Sequence, residues 1–312
     1  MSMQQTEWIW FDGELVPWAE ANVHVMTHAL HYGSSVFEGI RVYATPTGPK
    51  FFRLPCHLRR LADSAATYRL KLEFDQEELT KACQEVVRKN ELRSAYVRPI
   101  AFHGFGQLGL NPGEAPARLA IAAVPWANFH GGSAIGEGID TCISSWQRLA
   151  PNTVPVMAKA GGNYLSSQLI HMEAKRNGFD EGIALGPDGT VSEGAGENLF
   201  VVRDGVVRTP IVSGSLLAGI TRDTVMRIGA DLGIEIREAV VPRETLYTAD
   251  EIFLTGTAAE ISPVRSVDRI DIGTGKPGPV TQAMQREFFG LFSGETEDRY
   301  GWLMGVDEAE SS

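Results

Sequence analysis

Short strand-like segments come in runs along this chain of 312 residues, with helical segments grouped between them. That order constrains the fold more than any other feature. The strand-like stretches are 8–11, 36–43, 96–102, 118–124, 139–145, 199–203, 234–241 and 251–255, rich in β-branched and aromatic residues and bounded by Gly, Pro or Asn. Helical stretches cover 57–70, 76–89, 163–176, 221–232 and 280–292. In 76–89 the apolar Leu79, Ala82, Cys83, Val86 and Val87 recur with helical spacing, Asp75 and Glu78 form a capping box, and Asn90 suits the exit. Strict βαβα alternation is missing, so the pattern predicts an α+β chain with mixed, mostly antiparallel sheets and helices packed around them. The glycine-rich stretch 126–138 reads as a linker between an N-terminal domain, 1–125, and a larger C-terminal domain, 139–312. Residues 306–312 are acidic and polar and are expected to fray.

Charge and composition narrow the class of ligand. The 28 Lys and Arg against 39 Asp and Glu leave a net charge of −11, which gives no bulk attraction for nucleic acid or an anionic membrane surface. The longest apolar run, 119–127, has nine residues, and a bilayer span needs about 20. The start, MSMQQTE, lacks the basic and apolar regions of a secretory signal, and Cys56, Cys83 and Cys142 form neither a disulfide framework nor a metal knuckle. A cytoplasmic chain with reduced thiols is expected. His24, His28 and His31 lack an HExxH motif or a carboxylate cluster, so structural histidines are expected and no metal. A Gly-x-Ser-x-Gly elbow and a P-loop are both absent.

Several segments can carry chemistry. Lys159 lies among small apolar residues before Gly161-Gly162 and a helix, and a desolvated lysine can act as a nucleophilic amine; alone, the segment reads rather as an ordinary surface lysine near a turn. In Glu193-Gly194-Ala195-Gly196-Glu197-Asn198 a glycine-rich backbone precedes a strand, which rules out a dinucleotide loop but lets a flat ring approach the chain. Glu193 could meet a ring nitrogen there; alone, the segment also reads as a hairpin turn with solvated glutamates. Gly219-Ile220-Thr221 opens a helix whose N–H groups favour an anion, or is a plain cap. Thr255-Gly256-Thr257-Ala258 is a small-residue turn after a strand. In the N-terminal half, Phe37, Gly39 and Arg41 share a strand face, as do Tyr96 and Arg98, so that one face offers an apolar wall, a gap at Gly39 and a cation; singly, each arginine also reads as an exposed salt-bridging residue.

Taken in order, HALHYGSSVFEGIR, SAYVRP, AKAGGNYLSS, SEGAGENLF, GITRD and FLTGTAAEIS closely resemble the branched-chain amino acid aminotransferases of the class IV (fold type IV) pyridoxal-phosphate family, over about residues 8–302. The resemblance implies a two-domain fold type IV enzyme with each site between the domains. It implies transamination of L-leucine, L-isoleucine and L-valine with 2-oxoglutarate, pyridoxal 5′-phosphate as cofactor, and a homodimer or a hexamer built as a trimer of dimers. By this resemblance Lys159 holds the cofactor covalently and moves the proton, Tyr164 bonds the cofactor O3′, and Glu193 faces the pyridine nitrogen. Arg60, with Gly219, Ile220, Thr221 and Thr257, takes the phosphate; Arg60 is preferred to Arg59 because it directly precedes a leucine. Leu217 and Gly196 flank the ring, with Glu197 and Asn198 beside it. Phe37, Gly39 and Arg41 line the substrate pocket, Arg98 meets the distal carboxylate of glutamate, and Thr257, Ala258 and Tyr96 meet the α-carboxylate. Tyr32 and Leu110 are lent by the partner subunit. Phe129 stands where some bacterial members have tyrosine, which removes a hydroxyl near the substrate. The same fold also hosts D-amino-acid and (R)-amine transaminases and aminodeoxychorismate lyases; Phe37-x-Gly39-x-Arg41 with Tyr96-x-Arg98 favours the branched-chain type. A non-catalytic cofactor-binding or scaffold protein would not need the lysine constellation, which is complete here.

Overall fold

A computed structural model describes residues 4–126, 134–212 and 215–307. The chain forms two compact units: Met1–Trp126 with Ala158–Gly162 and Phe292–Ser312, and Ala127–Met157 with Asn163–Leu291. The expected division at 125 and 139 thus differs in one respect: the chain re-enters the first unit twice. Ala160 pairs with Val36 and is buried in the first core, and the strand Leu303–Gly305 pairs with a strand of the first sheet. Val306, expected to fray, is 3% exposed and bonds Pro49 O; 308–312 lie outside the described residues.

The first unit contains β1 (Trp8–Phe11), β2 (Glu14–Pro17), α1 (His28–Tyr32), β3 (Ser35–Phe37), β4 (Ile40–Thr45), β5 (Gly48–Phe52), α2 (Leu54–Thr67), α3 (Gln76–Lys89), β6 (Ala95–His103) and β7 (Ala117–Pro125). Its sheet runs Leu303–Gly305, β5, β4, β6, β7, β1, β2, with β3 also on β6, and every pairing is antiparallel. The apolar faces of α2 and α3 close its core through Leu58, Leu61, Leu79, Cys83 and Val86.

The single strand expected over 36–43 is interrupted at Glu38 and Gly39. The register is nevertheless unbroken, with Phe37 opposite Ile100 and Ile40 opposite Val97. The interruption comes from the facing strand: Glu38 N–H bonds Pro99 O at 2.9 Å, but Pro99 has no N–H to return the bond. Helix α2 begins three residues earlier than expected because Pro55 is suited to a first turn. It stops at Thr67, two residues before Arg69 takes a φ of 55°.

The second unit contains α4 (Ala134–Glu137), β8 (Ile139–Ile143), α5 (Tyr164–Arg176), β9 (Glu181–Leu185), β10 (Val191–Gly194), β11 (Asn198–Arg203), β12 (Val206–Pro210), α6 (Ile220–Asp231), β13 (Ile236–Ala239), α7 (Glu244–Tyr247), β14 (Glu251–Gly256), β15 (Glu260–Val267), β16 (Ile270–Asp271) and α8 (Pro279–Ser293), the last two residues of which belong to the first unit. Its sheet runs β10, β9, β8, β15, β14, β11, β12, β13, with β16 on β15. Three pairings are parallel, β8 with β9, β8 with β15 and β12 with β13, and the rest antiparallel. The fold is α+β. Among the described residues no helix is long and apolar enough to cross a membrane.

Helix α3 has the expected bounds, and its capping box is formed: Glu78 N–H donates to Asp75 Oδ1 at 2.9 Å and Asp75 N–H to Glu78 Oε2 at 2.8 Å. Asp75→Ala is expected to lower stability by about 1 kcal/mol. Urea unfolding checks this; an unchanged midpoint would show that the cap contributes nothing.

Candidate active site

In the first unit the short segment carrying Lys159 is held by its backbone. Lys159 N–H donates to Ser64 Oγ on α2 at 3.0 Å, and its carbonyl accepts from Phe37 N–H of β3 at 3.0 Å. The half-buried side chain places Nζ 5.1 Å from the centre of the Phe37 ring.

The unbroken register puts Gly39 opposite Arg98 and Arg41 opposite Tyr96. The gap expected at Gly39 is filled: a Cβ there would collide with Tyr96 Oη. Arg98 Nη2 donates to that oxygen at 3.2 Å, and its guanidinium lies 4.6 Å from the Phe37 ring centre and 5.1 Å from that of Tyr96. Arg41 is buried 4.7 Å from the Tyr43 ring centre, and Trp126 stacks on Tyr96. Phe37, Gly39, Arg41, Tyr96 and Arg98 therefore form one aromatic and cationic cluster.

Arg59 is exposed, whereas Arg60 turns inward onto Glu38. Its Nε meets Glu38 Oε1 at 2.6 Å and its Nη2 meets Oε2 at 2.9 Å; His57 Nδ1 reaches Oε2 at 2.7 Å and Gly39 N–H reaches it at 3.3 Å. Burial alone would raise the Glu38 carboxyl, but the charges and hydrogen bonds of Arg60 and His57 hold it well below the usual carboxylate range. Burial pushes His57 below its ordinary value, against the pull of Glu38. The neutral ring therefore donates from Nδ1 to an ionised carboxylate.

Sequence reasoning gave Glu38 and His57 no role. The available signal was a carboxylate on a strand face otherwise made of Val36, Ile40 and Val42, all buried.

Tyr32 and Leu110 are exposed, 40% and 86%. His28 joins their elements, with Nδ1 on Ser34 Oγ at 2.7 Å and Nε2 on Gly109 O at 2.8 Å. His24 and His31 are hydrogen-bonded too, and among the described residues no cluster could hold a metal ion.

The second unit gathers three of the motif segments. Glu193 and Glu197 are both 5% exposed rather than solvated. Glu193 Oε1 meets Arg148 Nη2 at 2.7 Å, while Oε2 accepts from Asn198 Nδ2 at 3.1 Å and Leu217 N–H at 3.2 Å. Glu197 folds back to accept from Gly196 N–H at 3.0 Å. Asn198 Nδ2 also donates to Leu217 O, and a Cβ on Gly219 would collide with Asn198 Oδ1. Asn198 thus ties the Glu193 carboxylate to the head of α6, where Gly219 is the cap and Ile220 and Thr221 form the first turn. Asn198 is also in register with Thr255, so the half-buried turn carrying Thr257 and Ala258 begins beside it. Tyr164 opens α5, half-buried. Phe129 lies outside the described residues.

Arg148, which the sequence reading passed over, is 8% exposed and is also tied to Ser167 Oγ. Breaking a buried ion pair from one side costs about 3–5 kcal/mol. Arg148→Met should destabilise the protein by that order in urea unfolding, and adding Glu193→Gln should recover part of the loss. A single variant as stable as the parent would rule out this account of the pair.

Residues 35–267 match the family of class IV amino-transferases. The branched-chain-amino-acid aminotransferase of Escherichia coli (strain K12) is 55% identical, over 99% of this chain and 100% of that one. A crystal structure of the Escherichia coli branched-chain amino acid aminotransferase superposes with a TM-score of 0.96, covering 97% of this chain and 100% of that one at 55% identity. The branched-chain amino acid aminotransferase of Thermobaculum terrenum, in its PLP-bound holo form, gives a TM-score of 0.90 at 35% identity, covering 97% of this chain and 99% of that one. With a family match across most of its length and relatives this similar end to end, the chain belongs to the branched-chain amino acid aminotransferases of class IV.

Proposed function

We propose that this chain is a pyridoxal-phosphate-dependent transaminase that converts L-leucine, L-isoleucine and L-valine, with 2-oxoglutarate, to branched 2-oxo acids and L-glutamate. The observation that most supports this reading is Lys159, pinned through both backbone groups so that its amine stands over Phe37.

The donor set of the second unit fits the cofactor. The head of α6 is capped by a glycine, whose missing side chain makes room for Asn198; Asn198 links that end, with its anion-favouring N–H groups, to the Glu193 carboxylate. Bound there, pyridoxal phosphate supplies an electron sink for the carbon that loses its proton. Glu193, paired with Arg148, would face the ring nitrogen and favour its protonated form. Gly219, Ile220, Thr221, Thr257 and Arg60 would take the phosphate, Tyr164 would bond O3′, Leu217 and Gly196 would flank the ring, and Glu197 and Asn198 would brace the turn beside it. The Lys159 amine would take the substrate Cα proton as base and, as acid, deliver it to the C4′ carbon of the cofactor.

The substrate pocket must accept both an aliphatic side chain and a second carboxylate. Phe37, Gly39 and Tyr164 supply apolar surface, Arg98 and Arg41 supply charge, and Thr257 and Ala258, with Tyr96 nearby, take the α-carboxylate. Phe129 offers ring surface without a hydroxyl.

A homodimer or a trimer of dimers goes with this reading, with Tyr32 and Leu110 offered to a partner. Supporting it are the exposed Val25, Leu30, Leu108 and Leu110 in the first unit, and Leu165, Leu169 and Met172 at helical spacing on α5 in the second. The three cysteines are free thiols, as suits a cytoplasmic protein.

Lys159→Ala is expected to abolish leucine–2-oxoglutarate turnover and the visible band of the bound cofactor; normal turnover would end the assignment. Arg98→Ala should weaken 2-oxoglutarate by about tenfold or more, since a charge-assisted hydrogen bond contributes roughly 1.5–3 kcal/mol. Branched 2-oxo acids should be much less affected. Steady-state kinetics with both acceptors decides, and equal losses would count against a distal-carboxylate role.

A further inference from the structure

We propose that Glu38, braced by His57, is a positioning residue that orients the Arg60 guanidinium for the phosphate of the cofactor. The inference rests on the reading of Arg60 as a phosphate ligand.

Glu38 is 0% exposed, so it acts only through its neighbours. Its two oxygens take the Nε–Nη2 edge of Arg60, at 2.6 and 2.9 Å, and a two-point bond to a planar group fixes that plane. His57 Nδ1–H on Oε2 fixes the carboxylate in turn. The supports are equally constrained. Glu38 N–H is bonded to Pro99 O, and His57 and Arg60 stand one turn apart on α2. One further turn along α2, Ser64 holds the Lys159 N–H. One helix therefore sets both the anion-binding guanidinium and the lysine in a common frame.

The chemistry favours positioning over simple stability or charge. A buried ion pair is no better for a core than well-packed apolar residues, and the neighbours here, Val36, Ile40 and Leu61, are apolar. Glu38 also opposes the charge of Arg60, so the pair contributes orientation and not added positive potential. The glutamine variant tests this without changing shape. Oε1 accepts from Arg60 Nε, and Oε2 from Arg60 Nη2, His57 and Gly39 N–H. Either way round, the amide of Glu38→Gln sets an NH2 against an N–H of Arg60.

The experiment strips the full-length enzyme of cofactor and titrates it with pyridoxal phosphate and with pyridoxal, which lacks the phosphate, following protein fluorescence. Glu38→Gln is expected to reduce the preference for pyridoxal phosphate over pyridoxal by about tenfold or more, leaving pyridoxal affinity in place. An unchanged preference, or equal loss for both ligands, overturns the proposal. Arg60→Gln is measured in parallel. If it too leaves the preference intact, the reading of Arg60 fails; if it lowers the preference and Glu38→Gln does not, only the positioning role fails. Should Glu38→Gln not fold, His57→Asn, which keeps a donor toward Oε2, is compared with His57→Phe, which does not. Loss of preference in the phenylalanine variant, restored in the asparagine one, supports the proposal, and identical behaviour of the two overturns it.

Discussion

A carboxylate with no exposure to solvent must be met by enough donors to replace its water, and Glu38 imposes that demand on the first unit. Meeting it fixes the rotation of α2, because His57 and Arg60 must both face β3 and β4. With α2 so turned, Ser64 faces the same way and receives the Lys159 N–H. Lys159 is thus located by backbone bonds to elements that a buried charge has already aligned.

The second unit repeats the device with different residues. Glu193 is buried against Arg148, and its remaining lone pairs go to Asn198 and the Leu217 N–H. Asn198 carries the constraint onward, since it also holds the Leu217 carbonyl that leads into α6. The Glu193 carboxylate and the N-terminal end of α6 are therefore parts of one hydrogen-bonded unit. In both units rigidity comes from satisfying a buried charge completely, which suits a site that must hold its geometry while protons move.

The parts legible in the sequence are those decided locally. The capping box and apolar spacing of α3 lie within its own residues, and its bounds were readable to the residue. The α+β class followed from the order of segments, and the family from its motifs. What escaped depends on residues far apart in the chain. The break at Glu38 is caused by Pro99 on a neighbouring strand. Glutamates in a glycine-rich turn read as solvated until Arg148 and the α6 approach cover them. The two returns of the chain to the first unit, through Ala160 and Leu303–Gly305, are pairings that periodicity cannot show.

Net charge is a weak guide to ligand charge for a related reason: what matters is which cations are already compensated. Arg60 faces an anion of its own chain, so in the proposed phosphate-binding role it contributes direction but little net potential. Arg98 differs. Among the described residues no carboxylate pairs with it, and it is flanked instead by the faces of Phe37 and Tyr96 and by a phenolic oxygen. Aromatic faces stabilise a cation without neutralising it. An acidic protein with a charge of −11 can in this way keep a positive centre available beside apolar walls, as the proposed pocket for both leucine and glutamate requires.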